Sequence, residues 1–364
     1  MTANEMAEAL VFHEAEKPFT IEKVSLPTPQ VNEVLVKIAY TTICTSDLHT
    51  YYGRRTSPCP SILGHEIIGH VVSLGKAINT DYNGEALKVG NLVTWSVYAH
   101  DVHGTMAKKG FPQKSHNLFK YGHQQMALDK PLSGGFATHC LLREGTAIFN
   151  LSDRLIPKEL APLNCTHATI AGAIRLAGDL NNKNVLIAGV GMLGLSACAM
   201  AKESGAKNVY AMDCDKARLN FAKTFGVNQI IQASLEVQDI VEQLKPHHEI
   251  DVVIDTTGAP EAMEKSLSLL SIGGMAVWVG AVFSQRNTQV NAEMIVRNLL
   301  TIKGLHNYKP KDLAVAITFL EKNHKKYPFA SLVNKEFLLH ELESAFNEAH
   351  KGGHYRVGIR QDPS

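Results

Sequence analysis

Two short stretches hold residue types that can do chemistry together. Cys44-Thr45-Ser46-Asp47-Leu48-His49 supplies a thiolate, a hydroxyl, a carboxylate and an imidazole, and Gly64-His65-Glu66 adds a second imidazole beside another carboxylate. Thiolate plus imidazole is the donor mixture that zinc takes in proteins. With three protein donors a fourth position stays open for a reactant, which separates a catalytic zinc from a structural one. Asp47 can accept a hydrogen bond from the His65 ring nitrogen turned away from a metal and so fix its tautomer. A single cysteine or histidine is more often a small buried hydrophobe or a core imidazole. The weight therefore falls on the grouping.

A second constellation lies downstream. Asn184-Val-Leu-Ile-Ala-Gly189-Val-Gly191-Met-Leu-Gly194 reads as a strand entering G-x-G-x-x-G and then a helix, with Asp213 at the end of the next strand. Gly189 permits the tight turn, Gly191 lets a pyrophosphate approach the backbone, and Gly194 lets helix pack on strand. The helix N-terminus offers free amides and a positive dipole end to phosphates. Asp213 would accept from the adenosine ribose hydroxyls, which favours NAD over NADP, although Lys216 and Arg218 close by could loosen that preference. Cys165, in Ala161-Pro162-Leu163-Asn164-Cys165, lies just ahead of this nucleotide-binding half. A zinc site together with a dinucleotide site points to hydride transfer.

The elements that must position these groups follow from the hydrophobic pattern. At 364 residues two domains are the prior. Before about position 160, Glu33 to Ala39, Ile67 to Leu74 and Asn91 to Val97 read as strands between turn residues. Tyr98 to Lys130 has little periodicity and reads as a long excursion. After Leu160, strand candidates (Asn184 to Gly189, Asn208 to Asp213, Val252 to Asp255, Ala276 to Gly280) alternate with helices such as Leu193 to Glu203 and Lys216 to Phe225. That alternation predicts an α/β fold with a parallel, doubly wound sheet. Past Ile302 come a helix near Lys311 to Glu321 and a strand at Tyr355 to Arg360.

Composition excludes several classes. A formal charge of +1 argues against an electrostatic nucleic-acid or membrane binder, and no apolar run is long enough to span a bilayer. Met1 to Leu10 carries Glu5 and Glu8 and lacks a signal-peptide core, so the cytoplasm is expected. The six cysteines have no paired spacing and read as reduced thiols.

The chain resembles the zinc-containing medium-chain dehydrogenases of the alcohol dehydrogenase superfamily. G-H-E-x2-G-x5-G is met by Gly64, His65, Glu66, Gly69 and Gly75, and C-x-[ST]-D-x-H by Cys44, Ser46, Asp47 and His49. The resemblance implies a strand-rich GroES-like catalytic domain over 1–166 and 305–364 enclosing a Rossmann NAD-binding domain over 167–304. It places Cys44, His65 and Cys165 on zinc, with Glu66 behind the metal as an occasional fourth ligand and His167 a weaker competitor for the third position. It implies that Ser46 takes the alcohol proton and passes it through the cofactor ribose to His49. Arg356 occupies the position of a pyrophosphate-binding arginine, while Thr45 stands where many relatives carry a basic residue that touches the same group. Relatives assemble as homodimers or homotetramers through an edge strand, for which Met275 to Phe283 is the candidate.

Two features depart from the family pattern. The register of a second, structural zinc falls on Asp101, Gly104, Ala107 and Ser115, with no cysteine between Trp95 and His123, so one catalytic zinc per chain is expected. His100, His103, His116 and His123 read as exposed loop histidines. The stretches Gly110 to Lys114, Leu118 to His123 and Pro131 to His139 are weakly similar to a subgroup associated with phosphonate utilisation. Trp95, Phe136 and a buried His306 are the expected pocket residues, suiting a polar alcohol, a polyol or a hydroxyalkyl phosphonate. A zinc-independent reductase of the same superfamily conflicts with the Cys44, His65 and Cys165 set. A non-catalytic nucleotide-binding protein has no use for Ser46, Asp47 and His49 as a proton path.

Overall fold

The computed structural model describes residues 5–127, 129, 131–245 and 249–362, so the expected excursion over 98–130 is described except at positions 128 and 130. The chain forms two compact units. The first comprises 1–165, 309–324 and 329–364, and the second 166–308 with 325–328.

The opening part of the first unit contains β1 (Met6–Phe12), β2 (Thr20–Ser25), β3 (Val34–Ile43), β4 (Ser61–Ile62), β5 (Glu66–Leu74), β6 (Leu92–Ala99), β7 (Phe119–Lys120), β8 (His139–Leu142) and β9 (Thr146–Asn150). The second unit contains β10 (Asn184–Ala188), β11 (Asn208–Asp213), β12 (Gln229–Gln232), β13 (Ile250–Asp255), β14 (Leu270–Trp278) and β15 (Thr301–Gly304). The chain then returns to the first unit with β16 (Val333–Leu338) and β17 (Arg356–Arg360). The strand-rich first half and the alternating second half match the hydrophobic pattern.

In the first unit β3 is the central strand. It pairs antiparallel with β5, β8 and β17, so the last strand of the chain lies beside one of the first. Its Val34, Leu35, Val36, Ile38 and Ile43 are buried in one core with Trp95, Tyr121, Phe136 and Phe346. Each such side chain contributes roughly 1.5–3 kcal/mol by leaving water. This core sets the rigid floor for the loops at the ends of β3 and β5, where Cys44 and His65 stand.

The excursion after β6 is more regular than its composition implies. A short helix, Thr105–Lys108, and a tight turn, Pro112–Lys114, precede β7, which pairs with β6. Backbone bonds close this lobe, among them Phe111 N–H to Met106 O at 2.8 Å and Lys114 N–H to Phe111 O at 2.9 Å.

The second unit is a six-stranded parallel sheet in the order β12-β11-β10-β13-β14-β15. Counted within the unit this is 3-2-1-4-5-6, the doubly wound dinucleotide-binding order. β10 is buried along its whole length, as a strand covered on both faces must be. One expectation is corrected here. Met275 to Trp278 of the run expected at Met275 to Phe283 belongs to β14, which pairs with β13 and β15, so the strand at that edge of the sheet is β15 and the one at the other edge is β12. Ala276 and Val277 are buried inside the sheet, whereas Val282 and Phe283, beyond the strand's end, are exposed.

Candidate metal centre and cofactor cradle

The sequence places Cys44 at a helix start for a local reason. Cys44 caps the helix Thr45–Tyr51 with extended backbone, and the Asp47 carboxylate accepts its N–H at 2.9 Å. The other Asp47 oxygen accepts from the Gly64 N–H at 3.2 Å and faces His65 Nδ1 at 3.2 Å. One fully buried carboxylate thus fixes both ligand segments and leaves His65 Nε2 for a metal. Gly64 holds φ at +86°, and a side chain there would press on the Phe136 ring at 3.1 Å.

Cys165 arrives from a different part of the chain. It ends the tight turn Ala161–Asn164, which Pro162 starts. Asn164 ties that turn to the strands, donating to Trp95 O at 3.0 Å and accepting from the Ile67 N–H at 3.4 Å. The donor atoms of Cys44, His65 and Cys165 consequently lie within 4.8 Å of one another. Donors about 2.0–2.3 Å from a zinc fit a cluster of that size, and two sulfurs with one imidazole leave an open fourth position. Zinc therefore fits the residues present. His167, the weaker competitor, has its Nδ1 2.8 Å from Ser196 Oγ in the second unit.

The cluster is electrostatically prepared. The Cys165 thiol, hydrogen-bonded to Cys44, holds the Cys44 thiol well below its ordinary range against the opposing effect of burial, with Arg356 and His65 adding to it. Cys165 is pushed up by the same bond and by burial. Burial works against charge on His65, but Asp47 and Cys44 outweigh it and raise its pKa.

Behind the ligands sits an ion pair whose partner the sequence did not reveal. Arg356 donates from Nε to Glu66 Oε2 at 2.7 Å and from Nη2 to Glu66 Oε1 at 2.9 Å, and Nη2 lies 3.5 Å from Cys44 Sγ. Thr42 donates to the same carboxylate. Glu66 is thus held by Arg356 and is not among the three clustered donors. Arg356, expected at a pyrophosphate, is only 4% exposed and is found holding Glu66.

Ser46 Oγ lies 3.3 Å from His65 Nε2, the ring nitrogen turned away from Asp47. His49 is half-buried on the same short helix, its pKa lowered by burial and then by the Arg54 charge. Thr45 is exposed.

The expected pocket residues fare differently. Trp95 and Phe136 are 0% exposed and belong to the core, with Phe136 packed edge-on against Phe346 at 5.5 Å. His306 is exposed, so the buried imidazole expected there is not found. His123, read as an exposed loop residue, instead has its ring 5.1 Å from that of His65, and its Nδ1 is buried without a partner.

In the second unit the glycine loop has the shape its spacing implies. Gly189 takes φ +83°, a Cβ on Gly194 would fall 1.9 Å from Gly189 O, and a Cβ on Gly191 would meet nothing within 4 Å. That open face stands at the start of the helix Met192–Glu203, whose first amides have no side-chain cap. Asp213 accepts from the Val190 N–H at 2.8 Å and the Asp215 N–H at 2.9 Å, which aims its carboxylate at the loop. Arg218 lies 3.8 Å from Asp215. A dinucleotide fits this cradle.

Asp255, at the end of β13, escaped the sequence reading. It is fully buried, accepts from Thr257 Oγ1 and the Gly258 N–H at 2.8 Å each, and burial raises its pKa to about 6. A raised carboxyl stabilises the fold most below its unfolded pKa near 3.9, and that contribution is lost as pH rises through about 6. Asp255→Asn should therefore be more stable than the parent at pH 8, by up to about 3 kcal/mol. The advantage should shrink as the pH falls towards 4. Thermal unfolding of both proteins across that range checks it, and an advantage independent of pH would refute it.

Comparison with known proteins agrees with this geometry. A zinc-binding dehydrogenase domain model matches 192–322, and an alcohol dehydrogenase GroES-like domain model matches 30–153. The chain is 29% identical to a sorbitol dehydrogenase of Halalkalibacterium halodurans over 93% of this chain and 94% of that one. It is 28% identical to a 5-exo-hydroxycamphor dehydrogenase of Pseudomonas putida, again over 93% and 94%. The crystal structure of a benzyl alcohol dehydrogenase from Acinetobacter calcoaceticus superposes with a TM-score of 0.85 at 26% identity, covering 99% of this chain and 100% of that one. An alcohol dehydrogenase from Thermotoga maritima reaches a TM-score of 0.92 at 24% identity over 99% and 100%, a likeness of fold. The chain belongs to the zinc-containing medium-chain dehydrogenase/reductase superfamily. It is an oxidoreductase of the alcohol dehydrogenase type.

Proposed function

We propose that the protein is an NAD-dependent alcohol dehydrogenase with one catalytic zinc per chain, held by Cys44, His65 and Cys165, acting on a polar alcohol such as a polyol or hydroxyalkyl phosphonate. The observation that carries this reading is the three-donor cluster with its open position, aimed by Asp47 and built onto the same chain as the glycine cradle. Zinc, when bound, supplies Lewis acidity that eases loss of the alcohol proton. Ser46 Oγ, at the metal-facing nitrogen of His65, is placed to take that proton. His49 is about one turn further along the helix, and as a neutral imidazole it can hand the proton to solvent. The lobe at Asp101 to Ser115 carries no cysteine and closes on its own backbone bonds, which supports a single zinc.

Asp213 supports NAD, since a carboxylate beside the ribose repels a 2′-phosphate. We expect NAD to be preferred over NADP by about 100-fold in kcat/KM, with Asp213→Ala narrowing the gap to within about tenfold. Steady-state kinetics with both cofactors measure this, and an unchanged ratio would exclude Asp213 as the selector.

Assembly as a homodimer or homotetramer is supported by the edge strand β15 and by Ile272, Val296 and Leu299 beside it, each at least 70% exposed. The cytoplasm, where Cys44 and Cys165 stay reduced, is the compartment this chemistry requires.

The test is direct. Metal analysis should find one zinc per chain, and a panel of alcohols, polyols and hydroxyalkyl phosphonates should produce reduced nicotinamide from NAD. Absence of turnover across the panel by fully zinc-loaded protein would sink the reading.

A further inference from the structure

The carboxyl end of β13 falls where the strand order of the second unit reverses. From β10 the chain builds outward through β11 to β12, then crosses to β13 on the other side and continues to β15. A dinucleotide lies across such a reversal, one nucleotide to each side. With Asp213 at the end of β11 taking the adenosine ribose, as proposed above, the nicotinamide half falls to the opposite side. That side begins with Asp255 and the turn Thr256-Thr257-Gly258 that follows it.

Three neighbours fix this turn. The first is the glycine loop: the Thr256 N–H donates to Ala188 O at 2.9 Å, its hydroxyl donates to Gly189 O at 2.9 Å, and a Cβ on Gly189 would fall 2.6 Å from Thr257 Cγ2. The second is the segment after β14. A Cβ on Gly258, whose φ is +66°, would fall 2.3 Å from Gly280 O, and Gln285 Nε2 donates to Gly258 O. The third is the Asp255 carboxylate, which accepts from Thr257 Oγ1 and the Gly258 N–H at 2.8 Å each. The Thr257 hydroxyl, its proton given to Asp255, accepts from the Ala259 N–H at 3.0 Å, so its direction is set.

Holding a turn does not by itself call for a buried acid. Asp255 is 0% exposed, its side-chain partners are one hydroxyl and one amide, and no cation among the described residues pairs with it. Burying a charge without a counter-charge works against folding. Residues that do so at a cost to stability gather where a fixed geometry serves a ligand.

We propose that Asp255 is a positioning residue for the cofactor: acting through Thr257 and Gly258, it holds the turn 256–258 in the shape that receives the nicotinamide half of the dinucleotide. This rests on the NAD-dependent reading above and deepens it. Asp255 acts through its neighbours rather than by touching the cofactor.

The test is calorimetry of the zinc-loaded parent and variants with NADH and with AMP, which carries the adenosine half alone. Asp255→Ala should weaken NADH binding about 10- to 100-fold, the scale of hydrogen bonds to a charged group, and leave AMP within about twofold. Thr257→Val should weaken NADH about tenfold, and Thr257→Ser should retain most of the affinity. These two variants carry the test if Asp255→Ala fails to fold. Asp255→Asn is the sharpest comparison, because it still accepts from the Gly258 N–H but turns its amide to the Thr257 hydroxyl and reverses that bond. It should bind NADH about three- to tenfold more weakly while unfolding at a higher temperature than the parent at pH 8. A merely structural role would move both in the same direction. In turnover the loss should appear in KM for NAD, with KM for the alcohol within about twofold. NADH affinity unchanged in Asp255→Asn and Thr257→Val, or AMP affinity falling in step with it, would overturn the role of Asp255. A parent protein that binds neither NADH nor NADPH and oxidises no alcohol would overturn the dehydrogenase reading, and this inference with it.

Discussion

Replacing His65 with alanine is expected to remove zinc and catalysis together. The imidazole supplies one of three donors within 4.8 Å, so the remaining two thiols offer a site too open to retain the metal against dialysis. Loss of Lewis acidity worth several kcal/mol should lower kcat/KM by about a thousandfold or more. Asp47→Asn gives a graded comparison. It keeps the shape but loses the charge that raises His65, and metal affinity should fall about 10- to 100-fold. Zinc per chain after dialysis, measured beside kcat/KM, tests both substitutions. A His65→Ala protein that keeps a full zinc complement would show that the metal sits elsewhere.

Arg356→Met should be among the most destabilising single substitutions in the first unit. Its guanidinium makes two short bonds to a Glu66 carboxylate that is 0% exposed, and the substitution would strand that charge in the interior. Breaking a buried pair from one side costs about 3–5 kcal/mol, whereas replacing both partners is often close to neutral. The double variant Arg356→Met with Glu66→Gln should therefore recover most of the loss. Denaturant unfolding of the parent, the single and the double variants makes the comparison. Recovery in the double variant is the decisive outcome, because a packing defect alone would persist in it. The Arg356 single variant should also show a less acidic Cys44, since the guanidinium lies 3.5 Å from its sulfur.

Where a function depends on local spacing, the sequence was an adequate guide. Cys44 and Asp47 share one helix start, Gly64 and His65 one turn, and the three glycines one strand-to-helix junction, so their geometry follows from backbone rules that hold at short range. The parallel sheet was legible for the same reason, as its strands are buried apolar runs separated by helices. Groups that meet across the fold were harder to see. Nothing local to Arg356 indicates that its partner is Glu66, nor does anything local to His123 announce its ring contact with His65. Trp95 and Phe136 illustrate a different difficulty. Aromatic side chains serve a pocket and a core equally well, and only packing against neighbours such as Phe346 decides between them. His306 was assigned by position in the family pattern, which carries no information about exposure. Asp255 had a usable signal, an acidic residue ending a buried strand just before Thr-Thr-Gly, though its raised pKa depends on surroundings that only the fold supplies.

The position of β17 has a consequence for the order of events during synthesis. The second unit comes almost entirely from one continuous stretch, so it can fold as soon as that stretch leaves the ribosome. The first unit cannot be completed until β17 slots beside β3. The cation for Glu66 is translated 290 positions after it, which at about 5–20 residues per second is a wait of roughly 15–60 s. Throughout that interval the nascent ligand segments carry an acidic group destined for the interior but not yet neutralised. The metal centre is thus the last part of the molecule to become chemically complete, although most of its residues are the first to be made.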